Sequence, residues 1–170
     1  MKMHWAFISV GSNLGDPIQN CRQGIQALCR DEQVRLVASS TYYATEPVDY
    51  LDQDWFINAA IKIETELAPL DLLVRMQAVQ EASGRKADSI RFGPRVLDLD
   101  IIFYEDLVLK TAQLTIPHPR MHKRRFVLQP ICDIDPSVVH PVLGENVQTL
   151  LNRLVKNGQQ IRPCFDSACR

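Results

Sequence analysis

"IRFGPRVLDLDIIFYED", residues 90–106, places two aspartates inside a run that otherwise reads as a buried strand. Side chains alternate along a strand, so Leu97, Leu99, Ile101 and Phe103 are expected on one face. Asp98 and Asp100 share the other with Ile102 and Tyr104. At a rise of about 3.3 Å per residue the two aspartate Cα atoms stand roughly 6.5–7 Å apart. Their repulsion at an effective dielectric near 20 is on the order of 2 kcal/mol. A divalent cation offsets that cost, and two hard oxygen ligands at this spacing suit magnesium with substrate phosphates and water. A solvent-facing edge, where two aspartates cost little, stays open on spacing alone.

The neighbouring loops favour the metal. Arg85, Lys86, Arg91 and Arg95 lead straight into the strand, and His118, Arg120, His122, Lys123, Arg124 and Arg125 crowd "PHPRMHKRR". With a formal net charge of -1, the chain has gathered its cations in two loops. Around a metal they would clamp a polyphosphate; without one they are solvated basic loops. His118 and His122 have zinc-helix spacing, but Pro117 and Pro119 argue against a helix there, and His118 fits phosphate hydrogen bonding better. "GSNLGD" lacks the Gly-Lys-Ser/Thr ending of a P-loop and reads as a turn. A second kind of site lies in Thr45, Glu46, Pro47, Val48, Trp55, Phe56 and Asn58, with Phe126 after the second basic loop. Two aromatics and an amide could sandwich a flat heterocycle, although Phe56 and Phe126 also suit a core.

Working outward, "HWAFISVG" reads as a first strand, and Asp16-Pro17 open a helix running to about residue 30. "VRLVASSTYYAT" is a second strand, "WFINAAIKIET" a third, and Pro69 opens a helix that stops at Gly84. After the aspartate strand, "DLVLK" is a short segment able to pair with it. "FVLQPICDI" and residues 147–155 read as helices. Strand, helix, strand, strand, helix, strand is the ferredoxin-like α+β plan, an antiparallel sheet with helices on one face. The expected division is a domain over residues 1–155 and a polar, loosely held tail over 156–170.

At 170 residues, with 46% hydrophobic and 23% charged, the composition is that of one globular domain, with no global field for nucleic acid or anionic membranes. No apolar run can span a bilayer and no signal peptide is visible, so the cytoplasm is the default location. Five cysteines, an odd number without a CxxC pair, read as reduced thiols.

"GPRVLDLDIIFY" resembles the signature of 6-hydroxymethyl-7,8-dihydropterin pyrophosphokinases. "GSNLGD", "FINAA" and "IPHPRMHKRRFVLQP" resemble the same family in order and spacing, over about residues 5–155. The resemblance implies a ferredoxin-like α/β sandwich and transfer of the pyrophosphoryl group of ATP to the pterin hydroxymethyl group, which releases AMP and gives a pterin diphosphate that feeds folate synthesis. It implies two magnesium ions on Asp98 and Asp100, and catalytic roles for both with Arg85 and Arg95. Arg85, Arg95, His118 and Arg124 match phosphate-binding positions, Lys86 is expected to bind ATP in place of a second arginine, and Gln77 matches a position near the adenosine. Phe56 and Phe126 match the pterin-stacking pair, Asn58, Thr45 and Val48 its polar edge, and Phe92 a substrate-binding position with a stacking or lid role where some members have tryptophan. Ala87 stands where a second arginine is common, and Gln80 where a glutamate is. The implied partners are small molecules, with no nucleic acid and no membrane, and the chain is expected to be a monomer. An RNA-binding ferredoxin-like module lacks its aromatic pattern here, and a non-catalytic ligand-binding domain would have no need of intact Asp98, Asp100, Arg95 and His118.

Overall fold

The computed structural model describes residues 2–48, 50–84, 93–154 and 158–165. Strand β1 (His4–Ser12) is buried along nearly its whole length, and the other elements assemble around it. It is followed by α1 (Pro17–Leu28), β2 (Val34–Ser39), β3 (Tyr42–Thr45), β4 (Phe56–Thr65), α2 (Pro69–Ala82) and β5 (Asp98–Tyr104). Then come β6 (Leu109–Lys110), β7 (Thr115–Ile116), a 3-10 turn (Met121–Lys123), α3 (Arg125–Ile134), α4 (Val147–Leu154) and β8 (Ile161–Cys164). The main sheet runs β5-β1-β4-β3-β8, with β2 also on β4, and these ladders are antiparallel. This is the expected ferredoxin-like arrangement, with the first strand central and the aspartate strand beside it.

Local chemistry sets the helix ends. Asp16 Oδ1 accepts from the Gln19 N–H at 3.1 Å, and Pro17 takes the first helical position. Gly24 lets α1 approach closely, since a Cβ there would lie 2.6 Å from Leu97 Cδ2. Helix α2 stops just before Gly84, whose φ of +98° suits glycine.

Helices cover both faces of the sheet, not one. On the first face α1 and α2 bury Cys21, Ile25, Leu28, Leu72 and Met76 against Ala6, Ile8, Val10, Ile61, Leu97, Leu99 and Ile101. On the second, α3 and α4 bury Val127, Leu128, Ile131, Leu150 and Leu151 against Phe7, Ala60, Ile102 and Phe103. The apolar stripes of the two C-terminal helices need a surface, and the back of the sheet supplies it.

The alternation expected along β5 holds to Ile101 and then reverses. Phe7 pairs with Phe103 but Ile8 with Ile101, so Ile102 is an extra residue, a β-bulge. Phe103 therefore turns to the α3/α4 face, where its ring meets Phe7 edge-on at 6.3 Å. Tyr104 turns to the α1/α2 face and donates to the Leu67 carbonyl at 2.8 Å.

Other expectations are also corrected. The second strand is two, because the Ser40 hydroxyl takes over ladder bonding: the Ala60 N–H donates to Ser40 Oγ at 2.9 Å. The "DLVLK" segment meets β5 in one isolated bridge, Asp106 to Tyr104, and does not extend its ladder. Glu105, at φ 47°, turns the chain away, and β6 forms its own hairpin with β7. Residues 161–164 of the tail are not loose but form β8, hydrogen-bonded to β3 on the open edge of the sheet. Cys164 is disulfide-bonded, its partner outside the described residues, whereas Cys21, Cys29 and Cys132 are free. An odd cysteine count excludes complete pairing, not one bond. Burial pushes the Cys21 thiol up to about 12 and Cys132 to about 11, so both are inert. Among the described residues no helix is long and apolar enough to cross a membrane.

Candidate active site

Beyond the ends of α3 and α4 the second face of the sheet is uncovered, and strand register decides what stands there. On β1 the row Phe7, Ser9, Gly11 shrinks toward that end. Ser9 lies opposite Asp100 on one side and Ala60 on the other; Gly11 lies opposite Asp98 and Asn58. On β3, Thr45 faces Phe56 across the ladder. Gly11 is required by space: a Cβ would sit 2.7 Å from Asn58 Oδ1. The result is a cavity of about 280 Å³ floored by small and polar residues.

Asp98 and Asp100 both line this cavity, half-buried. Arg95 Nη1 donates to Asp98 Oδ1 at 2.8 Å, with the arginine side chain 16% exposed and the aspartate 30%. A pair this sheltered is held more firmly than a surface ion pair. The bulge in β5 also contributes, because the carbonyl of the extra residue, Ile102, accepts from the His118 N–H at 3.0 Å. His118 is thereby held against the strand that carries the aspartates. Its Nδ1 accepts from the Arg120 N–H at 3.2 Å, which leaves the ring proton on Nε2. Burial, then the charges of Arg124 and Arg120, push its pKa down to about 4, against the pull of Asp98. At neutral pH His118 is an uncharged donor among cations.

The other side of the cavity carries two aromatic rings. Phe56 opens β4 and Phe126 stands in the first turn of α3, both lining the cavity. The Arg124 guanidinium lies 5.4 Å over the Phe126 ring, a cation–π contact. Asn58 Nδ2 donates to Thr45 Oγ1 at 2.6 Å, so the amide is oriented, and Val48 closes the rim.

Arg95, Asp98, Asp100, His118, Arg124, Thr45, Val48, Phe56, Asn58 and Phe126 therefore meet in one cavity. Gln77 is exposed on α2 and is not among its lining residues. Arg85, Lys86, Ala87, Arg91 and Phe92 lie outside the described residues. Gln80 is buried under β5, where its Oε1 accepts from the Leu99 N–H at 3.0 Å and its Nε2 donates to the Met76 carbonyl at 3.3 Å. A neutral amide serves both bonds there, which an ionised glutamate could not. Arg120, from the second basic loop, also lines the cavity, as do Ser9, Gln53 and Gly93, which the sequence did not single out. The signal for Ser9 was present: a lone hydroxyl two residues before Gly11 in an apolar strand.

Among the described residues no group of three or more His, Cys, Asp and Glu side chains is placed to hold a metal. The aspartates are a pair, and a pair fits magnesium, which takes one or two carboxylates and completes its shell with phosphate and water oxygens.

A profile of the 7,8-dihydro-6-hydroxymethylpterin-pyrophosphokinase family matches residues 7–136. This chain belongs to that family. The pyrophosphokinase of Methylorubrum extorquens is 38% identical over 153 residues, covering 90% of this chain and 95% of its own. That of Haemophilus influenzae is 39% identical over 136 residues, covering 80% and 84%. The chain also matches the Schizosaccharomyces pombe folic acid synthesis protein fol1, 38% identical over 162 residues, but spans only 22% of that longer protein. Among solved structures, Plasmodium falciparum HPPK-DHPS with pterin and p-hydroxybenzoate superposes with a TM-score of 0.73 at 16% identity, covering 92% of this chain and 42% of the other, a likeness of fold. With the pyrophosphokinase family comes its reaction, pyrophosphoryl transfer from ATP to hydroxymethyldihydropterin in folate synthesis.

Proposed function

We propose that this chain is a magnesium-dependent ATP:hydroxymethyldihydropterin diphosphokinase whose two substrates meet over the floor made by Ser9, Gly11 and the aspartates. The observation that carries this reading is the convergence of a carboxylate pair, a set of cations and an aromatic pair on one cavity of about 280 Å³. Phosphoryl-type transfer is mostly positioning and charge neutralisation, and those are the parts present.

In this reading Phe56 and Phe126 sandwich the pterin, while Thr45, Asn58 and the backbone near Val48 read its polar edge. The hydroxymethyl oxygen attacks the β-phosphorus of ATP, the bond from that phosphorus to the α,β-bridging oxygen breaks, the hydroxyl proton is lost, and AMP leaves. Asp98 and Asp100 would hold magnesium, two ions by the family resemblance, which would supply positive charge against the polyphosphate and lower the pKa of a bound hydroxyl. Arg95, which pairs with Asp98 here, is placed at the cavity wall to take a phosphate oxygen. Arg124 adds a second cation, and neutral His118 donates from Nε2 without the desolvation cost of another buried charge. Arg85 and Lys86 complete the phosphate clamp, Phe92 covers the pterin, and Gln77, exposed on α2, takes the adenosine. The chain acts as a monomer in the cytoplasm, without nucleic acid.

The test mixes the protein with ATP, magnesium and 6-hydroxymethyl-7,8-dihydropterin and follows AMP, ADP and phosphate separately. Magnesium-dependent AMP with a pyrophosphorylated pterin is expected. ADP as the nucleotide product, or AMP release undiminished by EDTA, would overturn the reading.

A further inference from the structure

The "GSN" turn after β1, which reads as a plain turn in sequence, is occupied by a buried residue with a full set of bonds. Asn13 is 3% exposed. Its Oδ1 accepts from the Arg95 N–H at 2.8 Å, and its own N–H donates to the Arg95 carbonyl at 3.0 Å. Its Nδ2 donates to Gln53 Oε1 at 3.0 Å and to the Asp54 carbonyl at 3.1 Å. The turn beneath is braced in turn, because Asn20 Nδ2 donates to Ser12 Oγ at 3.2 Å and to the Leu14 carbonyl at 2.7 Å.

Two segments far apart in the chain are joined through this one side chain. One carries Arg95, which bonds Asp98 at the phosphate end of the cavity. The other is the loop between β3 and β4, whose Val48 and Gln53 line the pterin end. Gln53 is itself fixed, donating from Nε2 to the Tyr50 carbonyl at 2.7 Å. Asparagine suits the post: its amide supplies one acceptor and two donors in a plane, and all three are used. We infer that Asn13 is a positioning residue that sets the Arg95 segment and the pterin loop relative to each other, touching neither substrate. The inference rests on the proposed reaction for its kinetic consequence, though the bonding itself does not.

Two substitutions separate the halves of the junction. Asn13→Ala removes both and leaves buried donors and acceptors without partners. Asn13→Asp keeps the acceptor for the Arg95 N–H but removes both donors and sets a carboxylate against two oxygen atoms. Steady-state kinetics against each substrate should show Asn13→Ala lowering kcat by about 100-fold, the size of an ångström-scale misplacement. Asn13→Asp should raise KM for the pterin about tenfold, one hydrogen bond's worth, with kcat within about threefold of wild type. Folded variants with wild-type constants, or an Asp variant matching the Ala variant in kcat with no change in KM, would overturn the assignment. Should wild-type protein itself release no AMP, the reaction is what has failed, and the junction is judged by hydrogen exchange. Fast exchange of the Arg95 amide in Asn13→Ala, with protection kept in Asn13→Asp, supports it. Equal protection in all three sinks it. If Asn13→Ala does not fold, the Asp variant and Gln53→Ala, each expected to raise pterin KM, decide the matter on their own.

Discussion

The two faces of this sheet come from the same strands and are put to opposite uses. Alternate residues of β1 supply both: Ala6, Ile8 and Val10 go to α1 and α2, while Phe7, Ser9 and Gly11 go to the other side. The first row is apolar throughout and nothing reaches water. The second begins apolar under α3 and α4, then dwindles to a hydroxyl and a bare backbone where the cavity opens. Binding space is thus made less by adding groups than by withholding side-chain volume from one end of one face. The dry face holds the strands in register, and register alone puts Asp98 opposite Gly11 and Asp100 opposite Ser9.

If the faces divide labour in this way, substitutions should separate cleanly into lost chemistry and lost stability. The largest effect is expected for Asp98→Ala and Asp100→Ala, which should cut AMP release by about a thousandfold or more. Their melting temperatures should stay within about 4 °C of wild type. Unfolding of either variant would break the comparison by making the cavity end structural. Next, Ile8→Ala on the dry face should cost about 2–5 kcal/mol in denaturant titrations. Activity per folded molecule should survive; a matching loss of kcat/KM would show that the faces are not independent.

Smaller effects sharpen the map. Phe56→Ala and Phe126→Ala each remove one wall of the stacking slot, and each should raise KM for the pterin about tenfold. Isothermal titration with an ATP analogue should show nucleotide affinity unmoved by Phe56→Ala; a parallel loss would mean the two subsites are not separate.

The smallest is a pH effect from His118. Its pKa is about 4 in the folded protein and 6.5 ordinarily, so between these values the unfolded chain binds the extra proton. Its contribution to stability is complete above 6.5 and is lost as pH falls toward 4. Relative to wild type, His118→Asn should flatten the decline of stability in that window, and the ring C–H resonances of His118 should hold steady down to about pH 5. Titration of His118 near 6.5 would mean that the buried, cation-flanked site described above is wrong. His140, also depressed by burial and by neighbouring His122, contributes in the same direction to both proteins and cancels.

Much of the site was legible because its chemistry is expensive. Two aspartates in an apolar strand, and basic residues gathered in two loops of a chain with net charge -1, are patterns that packing alone does not explain. Asn58, Thr45 and the phenylalanines were legible as a slot able to sandwich a flat heterocycle, but only the family resemblance separated that reading from a core, which each also suits. Asn13 was not legible as a site residue. A lone polar residue in a turn or strand has many uses, and its partners here lie 40 and 82 positions away. The bulge at Ile102 left no mark either, for apolar residues on both sides of it fit either face.

By itself, then, the sequence determined the element order, the strand that carries the acidic pair and the helix starts at Pro17 and Pro69, because these depend on local periodicity and capping. It also determined the kind of chemistry, because uncompensated charge is costly wherever it folds. Only the tertiary structure decided that α3 and α4 cover the back of the sheet, that β8 closes its edge, and that a bulge reverses β5 and seats His118. Those outcomes depend on which surfaces are left free once the first strands have paired, a property of the whole assembly and of no single stretch of chain.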